Sequence, residues 1–298
     1  MSEQRSVACS VAEANVLQET ASSSIAKNAE IYGGKWWLLL SVLCLGWFMS
    51  ALDTTVVNIA LKNIAEDLQA DVAGLQWIVD GYSLVFASLL LSAGSLGDRL
   101  GNKRIYLLGL ALFTVSSLLC GLAPAYWVLL LARILQGGGA ALMVPNTLAL
   151  INMVFPGSKQ RTRAVAFWAM TGSGALAIGP VIGGLLVGLF DWRSIFFVNV
   201  PIGIVALLAS LSPRRIPEAG RRLAKRGLDL IAQIMAVLGL GALAFVLIEG
   251  AHLGWLSWPV LACLALFVIA GASFCYVRRA DAIQCYLCAF LPFQPFRR

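Results

Sequence analysis

The sequence predicts an all-α integral membrane protein with about eight transmembrane helices, and three observations lead there. Of the 298 residues 59% are apolar and only 12% are charged, against roughly 25% charged in an ordinary soluble domain. Mean hydropathy is +0.83. Apolar runs of the length needed to cross a bilayer, about 20 residues, recur along the chain. They are too long and too continuous for barrel strands, whose faces alternate, so backbone polar groups in lipid are satisfied within helices.

Eight spans are predicted, at 36–57, 75–95, 105–123, 126–151, 164–188, 193–211, 228–249 and 255–277. Residues 1–35 are polar and carry Ser22, Ser23 and Ser24, without the charged region, short apolar stretch and cleavage site of a signal peptide. They are expected to form a disordered tail, leaving the first span as its own insertion signal. Positive charge orients the rest. Nineteen of the 22 Lys and Arg fall in the two tails and in the gaps after spans two, four and six. The alternate gaps hold Lys62 and Arg193, and Arg133 lies within span four. Both termini are therefore expected to be cytoplasmic, in a plasma or inner membrane.

This asymmetry accounts for the net charge of +7 without a nucleic-acid partner, which would need Lys and Arg clustered on a solvated domain. The one long basic stretch, 212–227, reads as a cytoplasmic linker dividing six spans from two, with an anionic-lipid contact as a lesser possibility. Seven cysteines show paired spacing only at Cys285 and Cys288, and the single histidine is His252. Most of the cysteines read as small apolar residues, and with no second pair or histidine following, no metal centre and no cofactor are expected.

Ionisable groups inside spans are costly and therefore candidates for function. Four qualify: Asp53, Asp80, Arg133 and Glu249. Counting residues from the predicted span ends at about 1.5 Å each puts Asp53, Asp80 and Arg133 in one layer, roughly 6 to 10 Å below the outer surface. An acid and a guanidinium at one depth should pair. Two readings stay open, a proton carrier whose affinity Arg133 switches and a permanent ion pair that fixes helix packing. Glu249, at the end of its span, reads foremost as an interfacial carboxylate.

The loop between spans two and three runs Gly94, Ser95, Leu96, Gly97, Asp98, Arg99, Leu100, Gly101, Asn102, Lys103, Arg104, and resembles the cytoplasmic signature loop of the major facilitator superfamily. Its glycines permit a tight turn and close helix approach; Asn102 stands where the family usually has Arg or Lys. Three further stretches resemble the drug:proton antiporter branch with fourteen helices. Leu52 to Leu61, which contains Asp53, is similar to its first-helix motif, with Lys62 in place of the usual Pro. Arg133 to Ala141, with Gln136 and Gly137, Gly138 and Gly139, is similar to the motif whose buried Arg is implicated in proton transfer. Gly174 through Gly179, Pro180, Gly183 and Gly184 resembles the antiporter signature, and Trp192 to Gly203, with Asn199 and Pro201, also matches. Taken alone, Gly179 and Gly183 would signal only close helix packing, and the Gly137 to Gly139 run lacks the following Lys-Ser/Thr of a phosphate cradle.

The resemblance implies one six-helix half of a two-half fold that rocks about a midplane site, at 36–211, followed by two additional helices at 228–277. It implies export of small amphipathic, often cationic, compounds in exchange for protons. Asp53 would carry the proton or cation, Arg133 would switch its affinity, and Asp80 would meet substrate charge. Gly94, Gly97, Asp98, Arg99, Gly101 and Lys103 would form the inner gate, and Gly179, Pro180, Gly183 and Gly184 the outer seal. Residues 282–298 depart from the family and six helices expected of it are missing, so the chain is expected to be a truncated copy, through a frameshift or early stop. The alternatives are a non-transporting membrane fragment, self-association of two chains, and, disfavoured by the antiporter motif, a nutrient symporter. No enzyme activity is expected.

Overall fold

The computed structural model describes residues 36–155, 157–211 and 230–273. The expected N-terminal tail, the basic linker, the divergent C-terminal segment and Cys285 and Cys288 lie outside the described residues. Those described are helical, in the order α1 (Trp36–Leu68), α2 (Val72–Leu100), α3 (Asn102–Gly121), α4 (Tyr126–Val154), α5 (Ser158–Leu189), α6 (Ser194–Phe197), α7 (Asn199–Leu211), α8 (Leu230–Leu253) and α9 (Trp258–Ser273). Six helical stretches among the described residues are long and apolar enough to cross a membrane, with α6 and α7 together forming the sixth. The last two predicted spans fall on α8 and α9. This is an all-α integral membrane protein.

The helices run past the predicted spans because nothing breaks them where the apolar runs end. α1 continues eleven residues beyond position 57 and stops at Leu68, where Gln69 turns left-handed at φ 51°. Asp53 is therefore near the middle of α1, not four residues from its end. α2 starts on an Asp71 cap whose carboxylate accepts from the Gly74 N–H at 2.9 Å. α2 and α3 join at Gly101, whose φ of 102° is one that glycine adopts without strain. The predicted sixth span is interrupted at Val198. Pro201 follows four residues after Phe197 and has no N–H to bond that carbonyl, so the helical ladder opens between α6 and α7.

Crossings are close where side chains vanish. A Cβ on Gly139 would lie 2.6 Å from the Phe113 N, and one on Gly109 would lie 2.8 Å from the Gly139 carbonyl oxygen, so α3 and α4 meet backbone to backbone. Two buried apolar clusters result. One gathers Leu40, Leu43, Met49, Tyr106, Phe113 and Met143; the other gathers Leu52, Val56, Ile78, Leu129, Trp192 and Phe196. Leu108, Val115, Leu131, Val181 and Leu185 are exposed, as lipid-facing or partner-facing residues are.

α8 packs on α2. The Trp77 indole N–H donates to Glu249 Oε1 at 3.2 Å, and the Trp77 and Phe245 rings lie 6.3 Å apart. Glu249 is thus more than an interfacial carboxylate: it ties a helix to the six-span body. Replacing it with alanine is expected to weaken the docking of α8 by about 1 kcal/mol, roughly a fivefold rise in local opening. Amide exchange across α8 would report it, with α1 to α5 unchanged.

Candidate functional site

The polar core of the bundle forms where α1, α2, α3, α4 and α7 converge. Asp53 and Arg133 are both sealed from solvent, each with a side chain 1% exposed, and they form a salt bridge through Asp53 Oδ2 and Arg133 Nη1. Such a pair is stable only if the remaining donors and lone pairs are also satisfied. Arg133 Nη1 donates to Gln136 Oε1 at 2.8 Å, and Nε donates to the Ile78 carbonyl at 3.2 Å. The guanidinium also lies 4.4 Å from the Tyr82 ring centre and 5.9 Å from that of Phe196, a cation between two aromatic faces.

The carboxylate is bounded by amides. Its Oδ1 accepts from Gln136 Nε2 at 3.0 Å and from Asn199 Nδ2 at 3.4 Å. Gln136 Nε2 also donates to Ser117 Oγ at 2.8 Å, and the Cys120 thiol approaches Gln136 Oε1 at 3.7 Å. Tyr82 is fixed by a 2.8 Å hydrogen bond between its hydroxyl and Ser50 Oγ. Five helices thus place one acid and one base within a hydrogen-bonded network that excludes water.

The expected partnership of Asp53 with Arg133 is present, whereas Asp80 is not part of it. Ile78 and Tyr82, four residues apart, face α4; Asp80 lies two residues from each, about 200° around the helix. It is half-buried, on the stripe of α2 that carries Trp77 and Leu84, and Leu84 lies 3.7 Å from a Cβ built on Gly241 of α8. Depth alone placed it with the other two; azimuth separates it.

The signature loop is built around Gly97. A Cβ there would sit 1.7 Å from Asn146 Oδ1 and 2.4 Å from Asn102 Oδ1, so only glycine lets the end of α2 seat against α4. Asn146 follows Pro145, which opens the α4 ladder, and its Nδ2 donates to the carbonyls of Ala93 at 3.0 Å and Leu142 at 2.7 Å. Asn102, the departure from the family pattern, is buried beside it at 7% exposure. Asp98 is exposed, Arg99 half-buried, Lys103 buried and Gly94 half-buried. In the α5 motif, Gly179 packs against Thr55, two residues from Asp53, with a Cβ there 1.9 Å from Thr55 Oγ1; Gly183 packs on Val56. Pro180 and Gly184 face outward. The motif therefore divides, one half pressing on the helix that carries Asp53 and the other turned away from it.

A second polar cluster ties the α5–α6 turn to the end of α1. Arg193 bridges Asp67 and Asp191, each at 2.9 Å, and the buried Trp192 donates its indole N–H to Asp67 Oδ2 at 3.1 Å. Sequence reading had singled out neither Asp67 nor the amides of Gln136 and Asn199 as site residues. For Gln136 a signal existed: it lies three residues after Arg133, on the same helical face.

The model of the Major Facilitator Superfamily matches residues 43–277. The methylenomycin A resistance protein of Streptomyces coelicolor is 42% identical over 233 residues, which are 78% of this chain and 48% of that protein. The multidrug resistance protein Stp of Mycobacterium tuberculosis is 40% identical over 245 residues, 82% of this chain and 45% of that protein. The multidrug efflux pump LfrA of Mycolicibacterium smegmatis is 39% identical over 245 residues, 82% and 47%. The chain spans about half the length of the curated relatives it matches. Among solved structures, a peptide transporter POT crystallised with sulfate overlays with a TM-score of 0.55 at 18% identity, over 76% of this chain and 49% of that one. A bacterial homologue of the lysosomal transporter Spinster, inward-facing and occupied, gives 0.54 at 20% identity, over 80% and 59%. These two show the fold alone. With a family model matched over most of its length and the helical bundle to go with it, the chain belongs to the Major Facilitator Superfamily.

Proposed function

We propose that this chain supplies the N-terminal, six-helix half of a proton-coupled efflux transporter of the drug:proton antiporter branch, with α8 and α9 as two additional helices. Its cargo is small amphipathic compounds, often cationic, and it works in the plasma or inner membrane with both termini cytoplasmic. The observation that carries this reading is the sealed Asp53–Arg133 pair, in a chain whose relatives are named for antibiotic resistance and multidrug efflux.

Asp53 is the proton site. Ionised, it is held by Arg133 and two amides; protonated, it no longer neutralises the guanidinium. Arg133 nonetheless keeps the Ile78 carbonyl, Gln136 Oε1 and the Tyr82 face, so protonation loosens one contact of several instead of stranding a bare charge. Movement of α1 against α4 can follow. Gly179 and Gly183 on Thr55 and Val56 support transmission of that movement to α5 and the outer seal, together with Pro180 and Gly184. Gly94, Gly97, Asp98, Arg99, Gly101 and Lys103 form the inner gate, and Asp80, off the network, meets substrate charge. Each proton contributes about 1.4 kcal/mol per pH unit and about 2.3 kcal/mol per 100 mV, so a few protons suffice for a steep gradient.

A second reading, a membrane unit with no transport of its own, is favoured by the match to about half of each relative. Efflux of a fluorescent cationic dye from cells expressing the 298-residue chain, with and without an uncoupler, separates the two. Uncoupler-sensitive efflux that Asp53→Asn abolishes is expected, two copies associating to complete the fold. Efflux unchanged by Asp53→Asn would overturn the proton-site assignment, and no efflux from inserted protein would favour the second reading.

A further inference from the structure

In every hydrogen bond that Asp53 makes among the described residues its carboxylate is the acceptor. Oδ2 accepts from Arg133, and Oδ1 accepts from Gln136 Nε2 and Asn199 Nδ2; all are donors. A protonated carboxyl has an O–H to donate and needs an acceptor. Gln136 Oε1 already accepts from Arg133 and Cys120, and Ser117 Oγ accepts from Gln136. Among the oxygens of these side chains, one has no hydrogen bond at all. Asn199 Oδ1 is buried and has no hydrogen-bond partner among the described residues, on a residue that is 1% exposed.

We infer that Asn199 is the positioning residue for both protonation states of Asp53: its amide donates to the carboxylate and, turned by half a revolution about its Cβ–Cγ bond, accepts from the acid. This rests on the reading of Asp53 as the proton site and adds the group that makes the protonated state tenable. The step is balanced. A hydronium ion of the bulk phase gives up one O–H bond and is left as water, its proton adds to Asp53 Oδ1 when the site opens, the new O–H donates to Asn199 Oδ1, and the Asn199 NH2 takes the place its oxygen left. No other covalent bond changes.

The placement suits the role. Asn199 is the first residue of α7, directly after the break at Val198, so its amide reaches Asp53 from the one helix junction in the network. Around Asp53 the other charged or titratable groups are Arg133 on α4, Tyr82 on α2 and Cys120 on α3. Among the described contacts α5 and α7 bring none. No charged group other than Arg133 competes for the acid, and no second free amide oxygen faces it.

The test reads the carboxyl itself, so it does not depend on transport. Infrared difference spectra of the purified 298-residue chain in lipid vesicles, taken on a pH step, should show a protonated carboxyl C=O band that Asp53→Asn removes. In Asn199→Ala that band is expected to shift to higher frequency, the signature of an acid that has lost a hydrogen bond. Asn199→Leu, of similar volume and without an acceptor, should give the same shift. Asn199→Ser, whose hydroxyl both donates and accepts, should restore the parent position. An Asp53 band at the parent frequency in both Asn199→Ala and Asn199→Leu would overturn the inference while leaving the proton site intact. Absence of any Asp53-dependent band would overturn both. Loss of dye efflux with the band shift and rescue as described would remove the transport reading alone.

Discussion

Arg133→Leu is expected to destabilise the bundle by about 3 to 5 kcal/mol. The reason is what remains behind. Asp53 is 1% exposed, so without the guanidinium its carboxylate is a buried charge with two amide donors and no counterion. Two aromatic faces, Tyr82 and Phe196, lose the cation between them, and the Ile78 carbonyl loses its donor. Adding Asp53→Asn should recover much of the loss, because a neutral amide no longer demands a counterion. That recovery is the discriminating result. A double-mutant cycle read by thermal melting in detergent would yield a coupling of several kcal/mol; independent, additive losses would show that the two residues do not hold each other. Salt should alter the coupling little, since the pair is shielded from solvent.

The same pair shows how far sequence reading reaches. Asp53 and Arg133 were legible because a charge in an apolar run is rare and must be accommodated. Their meeting followed from charge alone. Asp80 passed the same test yet lies off the Asp53–Arg133 network, because counting residues gives depth along a helix and says nothing about which way a side chain points. The discriminating signal was present in the alternation of α2: Ile78 and Tyr82 share a face by a spacing of four, and a residue midway between them cannot. Asn199 lay beyond reach. It is polar in an otherwise apolar segment, but its approach to Asp53, 146 positions earlier in the chain, depends on how the opened ladder at Pro201 settles against α1 and α3.

The fold was more legible than the element ends. Hydropathy locates what must be in hydrocarbon, and among the described residues each of the eight apolar runs falls largely on helix, the sixth broken at Val198. It does not locate where a helix stops, which is decided by capping and backbone conformation. α1 therefore runs on through Lys62 and Asp67 to Leu68, and that extension carries the carboxylate that Arg193 and Trp192 grip from the α5–α6 turn. A cluster of that kind forms only when a helix projects beyond the apolar layer, and it could not be read from runs that ended at position 57.

Gly137 and Gly138 adjoin each other in sequence, yet replacing them with alanine is expected to give opposite results. A Cβ on Gly137 would lie 2.4 Å from the Tyr82 carbonyl oxygen and 3.1 Å from its Cα, all backbone atoms of α2 that have no rotamer to escape into. The helices must part, at a cost of about 3 kcal/mol. The damage extends to the polar network by geometry. Arg133 and Gly137 are four residues apart on α4, as Ile78 and Tyr82 are on α2, so the two helices meet in register: one contact is the Arg133 bond to the Ile78 carbonyl, and the next turn is the Gly137 approach. Prising apart the second lengthens the first. A Cβ on Gly138 would find only Leu112, Leu89 and Val85 side chains, at 3.9 to 4.0 Å, an ordinary van der Waals distance. There alanine fills space and favours helix by up to about 1 kcal/mol. Melting temperature and folded yield in detergent should therefore fall sharply for Gly137→Ala and stay level or rise for Gly138→Ala. Equal losses at both would mean that the run serves helix flexibility, and would remove the close α2–α4 crossing as the support of the Arg133 site.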